Sequence, residues 1–177
     1  PAEDRGMSEE LVKDPKGISE HVMLVDLSRN DLAKVSKPGT VEVTELMDIA
    51  RFSHIMHITS TVTGELRDGV SAVEALAATF PAGTLSGAPK TRAIEIIDTL
   101  EPARRGIYGG VAGYFDFAGN ADLAIAIRTA IIENGRASVQ SGAGIVADSV
   151  PKTEDIETRN KAAAAVRAIQ IANTLVS

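Results

Sequence analysis

No cysteine occurs among the 177 residues, and no tryptophan. The first absence excludes disulfides and thiolate metal sites, and it suits a reducing cytoplasm, the expected location. Aromatic residues are scarce, two Tyr and four Phe, so any core has to be aliphatic and rich in Ala. Basic charge is short as well: 18 Lys and Arg stand against 24 Asp and Glu, a formal net charge of −6. Nucleic-acid binding therefore has no general electrostatic support. The chain shows no signal peptide and no apolar run long enough to span a membrane, so no membrane role is expected. It also lacks an initiator Met, opening on Pro1-Ala-Glu-Asp inside a polar helical pattern, which points to a fragment or a processed chain.

What is there reads as one globular domain. The chain is 44% hydrophobic and 24% charged, and a chain of this length is expected to bury roughly 70% of its unfolded surface. Its focal stretch is Phe80-Pro-Ala-Gly-Thr-Leu-Ser-Gly-Ala-Pro-Lys-Thr-Arg92. Pro89 fits a first helical position, and Ala93, Ile94, Ile97 and Leu100 follow at helical spacing. Lys90 and Arg92 then put two cations where the helix dipole disfavours them, which an anionic ligand would offset; a plain surface loop is the other reading. The stretch is not a phosphate-binding P-loop, because Pro89 stands where Gly must precede Lys. A small carboxylate suits it better than a nucleotide.

The rest of the chain alternates helical and strand-like patterns. Residues 2–13 read as a charged helix, and a second helix runs from Lys16 to about Arg29 with Ile18, Val22 and Val25 on its buried side. Ser28-Arg-Asn-Asp31 offers caps for a further turn, Lys37-Pro-Gly39 is a turn, and Val41 to Leu46 is strand-like. Arg51 to Glu65 reads as a strand with His54, Met56, Ile58 and Val62 on one face. Ile55, His57, Thr59, Thr61 and Thr63 lie on the other. His54 keeps apolar company and reads as a core residue; His57 shares its face with hydroxyls, and proton transfer and a structural role both fit it. Asp68-Gly69 is a hairpin-like turn, and Ser71 with Glu74 forms a capping box.

After Arg104-Arg-Gly106 comes a glycine-rich strand, Ile107 to Tyr114, whose glycines mark close approach of a ligand or of backbone. Asp122 to Glu133 reads as one strand, with Arg128 on a face of alanines, free to grip a ligand carboxylate or to pair with an acid such as Asp122. Glu133-Asn-Gly-Arg136 is a two-residue hairpin. Gly142-Ala-Gly144-Ile-Val-Ala147 imitates a dinucleotide fingerprint, but antiparallel hairpins precede it and Asp148 and Pro151 interrupt it, so it reads as a glycine-rich ligand loop. The last helix starts at Pro151 or Thr153 and runs to about Leu175. Glu154, Glu157 and Lys161 share one stripe of it, either two carboxylates for an oxygen-loving metal or a solvated face with an ordinary Glu157–Lys161 ion pair.

Several of these segments, taken in order, carry a resemblance. Glu20-His21-Val-Met-Leu-Val-Asp-Leu-Ser-Arg-Asn-Asp31, Ser53-His-Ile-Met-His57, Phe80 to Lys90, Tyr108-Gly-Gly, Ile125-Ala-Ile-Arg-Thr129, Gly142 to Asp148 and Glu157-Thr-Arg-Asn-Lys161 stand in the order found in the chorismate-utilising enzymes. The sequence resembles the C-terminal part of that family over nearly its whole length. The resemblance implies an α+β fold, antiparallel sheets sandwiched by helices, with 1–177 as the C-terminal part of a chorismate-binding catalytic domain. It implies Mg²⁺ held by Glu20 and Glu157 on the ring carboxylate of chorismate, His57 and Thr84 as catalytic residues, and His57 assisting proton removal and pyruvate elimination. Tyr108, Arg128, Gly142, Gly144 and Lys161 would line the substrate site. Two departures stand out: Gly17 occupies the place of a usual second acid, and the family's upstream half, with its own share of the site, is missing.

Ser28-Arg-Asn-Asp31 resembles the ammonia-using members, and Ala82-Gly-Thr-Leu-Ser-Gly87 those that make anthranilate. The implied reaction is ammonia addition at C2 of chorismate and loss of pyruvate, a lyase step of tryptophan biosynthesis. Ammonia would come from a glutamine amidotransferase partner, and association into an oligomer is expected. Amination at C4, as in 4-amino-4-deoxychorismate synthesis, is the runner-up; a non-catalytic chorismate-binding fragment is the alternative from another class.

Overall fold

The computed structural model describes residues 15–51 and 56–175. The charged helix expected over 2–13, and His54, lie outside them. The chain divides into two compact units, Pro1–Gly83 and Thr84–Ser177.

The first unit begins with helix α1 (Pro15–Ala33). It continues past Arg29 because the expected capping groups are used inside the helix. Ser28 Oγ donates to the Leu24 carbonyl at 2.9 Å, and Asn30 Nδ2 to that of Asp26 at 2.9 Å. Ile18 and Val25 are half-buried as expected, but Val22 is exposed. Gly39 closes the Lys37–Gly39 turn at φ +79°. Strands β1 (Glu42–Arg51) and β2 (Met56–Thr63) then form an antiparallel hairpin, with Val43 opposite Val62, Ile49 opposite Ile58 and Ala50 opposite His57. The single strand expected from Arg51 is thus corrected: Arg51 ends β1 and stands opposite Met56. Register shifts around Glu45 accompany a positive φ of 58° at Met47.

The period-two reading of β2 holds from Ile58 onward, with Ile58 and Val62 half-buried and Thr59, Thr61 and Thr63 exposed, but His57, on the threonine face, is half-buried too. Helix α1 packs on this strand, where His21 Nε2 lies 2.6 Å from Ser60 Oγ. Asp68-Gly69 turns the chain into a helix, not a hairpin. Helix α2 (Ala72–Thr79) opens on the capping box: Glu74 N–H donates to Ser71 Oγ at 3.2 Å, and Ser71 N–H to Glu74 Oε2 at 2.8 Å.

Beyond the four-residue helix α3 (Gly83–Ser86), the second unit holds helix α4 (Lys90–Leu100). Pro89 is its cap rather than its first helical residue. Of the expected apolar stripe only Ala93 and Ile97 are half-buried; Ile94 and Leu100 are exposed. Strand β3 (Val111–Phe115) pairs with β4 (Ala121–Ile125), and β5 (Ala130–Glu133) with β6 (Arg136–Val139). The glycine-rich strand therefore starts at Val111, because residues 107–110 form a turn in which Gly110 N–H donates to the Ile107 carbonyl at 2.9 Å. Within β3 the close approach is to backbone: a Cβ on Gly113 would overlap the Asp122 carbonyl. The expected strand 122–133 is broken into β4 and β5, with Arg128 at φ +52° in the break. The Asn134-Gly135 turn is as expected, with φ of 51° and 72°. Helix α5 (Pro151–Thr174) closes the unit and packs on β6.

Helices joined by antiparallel hairpins agree with the α+β expectation. The core does not match what chain length alone predicts. Among the described residues the buried apolar side chains are Val35 and Ala126, while Leu100, Phe117, Ile132 and Leu175 face outward.

Candidate functional site

Four of the sequence-predicted residues come together in the second unit. Helix α5 carries Glu157 and Lys161 one turn apart, with Lys161 Nζ 2.6 Å from Glu157 Oε1. The same ammonium points to the Gly142 carbonyl at 3.4 Å. Gly142 in turn lies against Tyr108, since a Cβ there would come within 3.1 Å of the tyrosine hydroxyl. Glu157, Lys161, Gly142 and Tyr108 thus form a continuous polar run of half-buried residues. The Glu157–Lys161 pair foreseen as an ordinary surface bridge does form, but the lysine also reaches the glycine loop, which a solvated face would not require. Ser141 Oγ donates to the Thr158 carbonyl at 2.8 Å and pins the start of that loop to α5.

The turn carrying Tyr108 is tied to the strands. Gly109 N–H donates to the Ala126 carbonyl at 3.0 Å, and Ala126 N–H to the Gly110 carbonyl at 2.8 Å. These bonds bury Ala126 and set the break in which Arg128 stands exposed. A cavity of about 10 Å³, near the size of one water, lies between Tyr108, Ala126, Thr129 and Gln140. Gly144 is exposed, with open space where a Cβ would sit. Thr84 is exposed on α3, and its neighbour Leu85 accepts a hydrogen bond from Arg105 through its carbonyl.

Arg105 is the residue that sequence reasoning passed over. Its guanidinium takes Glu101 in a forked grip, Nε to Oε2 at 2.9 Å and Nη2 to Oε1 at 2.6 Å, and lies 5.6 Å from the centre of the Tyr108 ring. The Glu101 hydrogen bonds, against partial desolvation, hold Arg105 above the ordinary arginine range. The signal available in the sequence was the Glu101–Arg105 spacing of four, which reads as a routine helix-surface pair. Arg92, offered as half of an anion site, has an exposed partner on its own helix, Glu95 Oε2 at 2.8 Å. That contact supplies the negative charge a ligand was invoked to supply.

Glu20 and His57 belong to the first unit. Glu20 is half-buried on α1 beside His21, and His57 is half-buried on β2. The threonines that share the His57 face serve the hairpin itself: Thr61 Oγ1 donates to Glu45 Oε2 at 2.6 Å, and Thr59 Oγ1 to the Asp48 carbonyl at 3.3 Å. Among the described residues no three His, Cys, Asp or Glu side chains are grouped to hold a metal. Two carboxylates are nevertheless a donor set that suits Mg²⁺, which takes one or two from protein and completes its shell with water and substrate.

The sequence profile of the chorismate binding enzyme family matches residues 1–167. The chain belongs to that family. Among its chorismate-binding relatives, anthranilate synthase component 1 of Arthrobacter globiformis is 60% identical over 97% of the chain and 32% of its own length. The crystal structure of anthranilate synthase component I from Streptococcus pneumoniae superposes with a TM-score of 0.85 at 50% identity, over 91% of the chain and 37% of that protein. The menaquinone-specific isochorismate synthase of Escherichia coli matches with a TM-score of 0.80 at 26% identity, over 92% and 37%. The chain spans about a third of the length of the anthranilate synthase relatives it matches.

Proposed function

We propose that the chain is the C-terminal part of the catalytic domain of an anthranilate synthase component I, which converts chorismate and ammonia to anthranilate and pyruvate in the cytoplasm. The observation that carries this reading is the run of Tyr108, Gly142, Lys161 and Glu157 in a chain 60% identical to a relative of that name.

In this reading ammonia adds at C2, the C4 hydroxyl leaves as water, and the enolpyruvyl group departs as pyruvate. Lys161, held between Glu157 and the Gly142 carbonyl, presents a fixed positive charge to a substrate carboxylate. Arg128 offers a planar fork to a second carboxylate, to which the loop N–H groups around Gly142 and Gly144 also donate. Tyr108 orients the substrate through its hydroxyl. His57 takes the proton released as the ring becomes aromatic, a transfer that an imidazole can perform, and Thr84 assists. Glu20 and Glu157 would hold Mg²⁺, and the chemistry the ion would supply is positive charge that stabilises the substrate carboxylate and the departing hydroxyl. The remaining groups come from the upstream half of the protein, and ammonia from a glutamine amidotransferase partner.

The test is a full-length protein carrying this chain, supplied with chorismate, ammonium and Mg²⁺. Anthranilate fluorescence with equimolar pyruvate is expected. Isochorismate or 4-amino-4-deoxychorismate without pyruvate, or no turnover, would reject the reading.

A further inference from the structure

We propose that Arg105 is a positioning residue for the substrate site, holding the Tyr108 ring and the backbone beside Thr84 on one guanidinium. The inference rests on the reading above, in which Thr84 and Tyr108 belong to the chorismate site. Each part of the guanidinium has its own task. Nε and Nη2 are taken by Glu101, Nη1 donates to the Leu85 carbonyl, and the planar group lies over Tyr108, 5.6 Å from its ring centre. Glu101 is itself anchored as the cap of α4, its N–H donating to the Ile97 carbonyl at 2.9 Å.

Helix α3 at Thr84-Leu85 is thereby set against the end of α4 and the turn carrying Tyr108, about twenty residues further along the chain. Gly109 adds a second contact between α3 and that turn, since a Cβ on it would lie 3.5 Å from Leu85 Cδ1. A salt bridge that merely decorated the surface would need Glu101 alone. Arg105 is only about a quarter exposed, and it also satisfies a carbonyl and stacks on an aromatic ring. A lysine could keep the charge but has neither the planar fork that grips Glu101 nor a flat face to lay over Tyr108.

The experiment uses the full-length enzyme with ammonium as the nitrogen source. Arg105→Lys should raise the chorismate KM about tenfold, the scale of one charge-assisted hydrogen bond, while the ammonium KM stays within about twofold. The effect should not add to that of Tyr108→Leu, because both changes remove the same placement of the ring. A merely structural arginine would lower Tm without singling out chorismate. If Arg105→Lys does not fold, Glu101→Gln takes its place; it keeps the guanidinium, loosens its anchor, and should raise the chorismate KM in the same direction. An active parent whose folded variant keeps its chorismate KM, or whose losses are fully additive with Tyr108→Leu, overturns the inference alone. A parent that makes no anthranilate overturns the functional reading and this inference with it.

Discussion

His57 and His21 belong to the same unit, and the proposed function gives them different work. The His21 ring is committed to Ser60, 2.6 Å away, at the packing of α1 on β2. In a full-length enzyme His21→Ala should cost about 1 kcal/mol of stability, the worth of one hydrogen bond, and leave kcat near its parent value. His57→Ala should do the opposite, lowering kcat by about a hundredfold or more with little change in Tm. Equal kcat losses in the two variants at matched stability would remove His57 from the mechanism. The acids of α5 separate in the same way. Glu154 is buried, Glu157 is partly open and paired with Lys161. Glu157→Gln should raise the Mg²⁺ concentration needed for half-maximal activity. Glu154→Gln should move that concentration less, because Glu154 is buried at the start of the helix while Glu157 is partly open beside Lys161. Mg²⁺ titrations of the two variants that coincide with the parent would leave Glu157 as an ion-pair partner and nothing more.

At the scale of elements, the devices that act within four residues were legible in the sequence. The Ser71–Glu74 box and the Asn134-Gly135 turn appear as read, because each is decided by local hydrogen bonds or by a φ that few residues adopt. Ser71→Ala should cost about 1 kcal/mol by thermal unfolding. The Ser71 backbone N–H and hydroxyl hold the Glu74 carboxyl below the ordinary glutamate range. A carboxyl depressed in the folded state stabilises above its unfolded value, and that contribution is lost as pH falls through the lower folded value. The parent should therefore lose more stability than Glu74→Gln on acidification below the ordinary glutamate range; parallel pH profiles would contradict this. What was not legible were breaks decided at a distance. The strand expected over 122–133 divides because Ala126 is tied to the turn at 109–110, and β1 shifts register where the Met47 N–H donates to Ser60 Oγ at 3.0 Å. An apolar run gives no notice of either bond. Tyr108, Gly142, Glu157 and Lys161 were singled out in the sequence, but Arg105 beside Tyr108 was not, since Glu101 and Arg105 look like any pair one helical turn apart.

For the whole molecule, two buried apolar side chains among the described residues are few for a chain of 177. With about a third of its relatives' length, the chain has surface that the rest of the protein would cover. The 177-residue chain alone is expected to make no anthranilate, and mixing it with the upstream piece should restore the reaction. A mass-verified preparation of this chain that turns chorismate and ammonium into anthranilate would refute that. The three ribbons carry a further consequence. Each strand has one hydrogen-bonded neighbour among the described residues, so in every strand alternate amides point into the ribbon and the others point away from it. Hydrogen exchange in the isolated chain should therefore show a protection pattern of period two along β2 to β6, and along β1 outside its register shifts, slow and fast amides taking turns. In the full-length protein, each ribbon that gains another strand should lose that alternation, its fast amides slowing by orders of magnitude, and the residues at which they slow would map, strand by strand, where the upstream polypeptide docks.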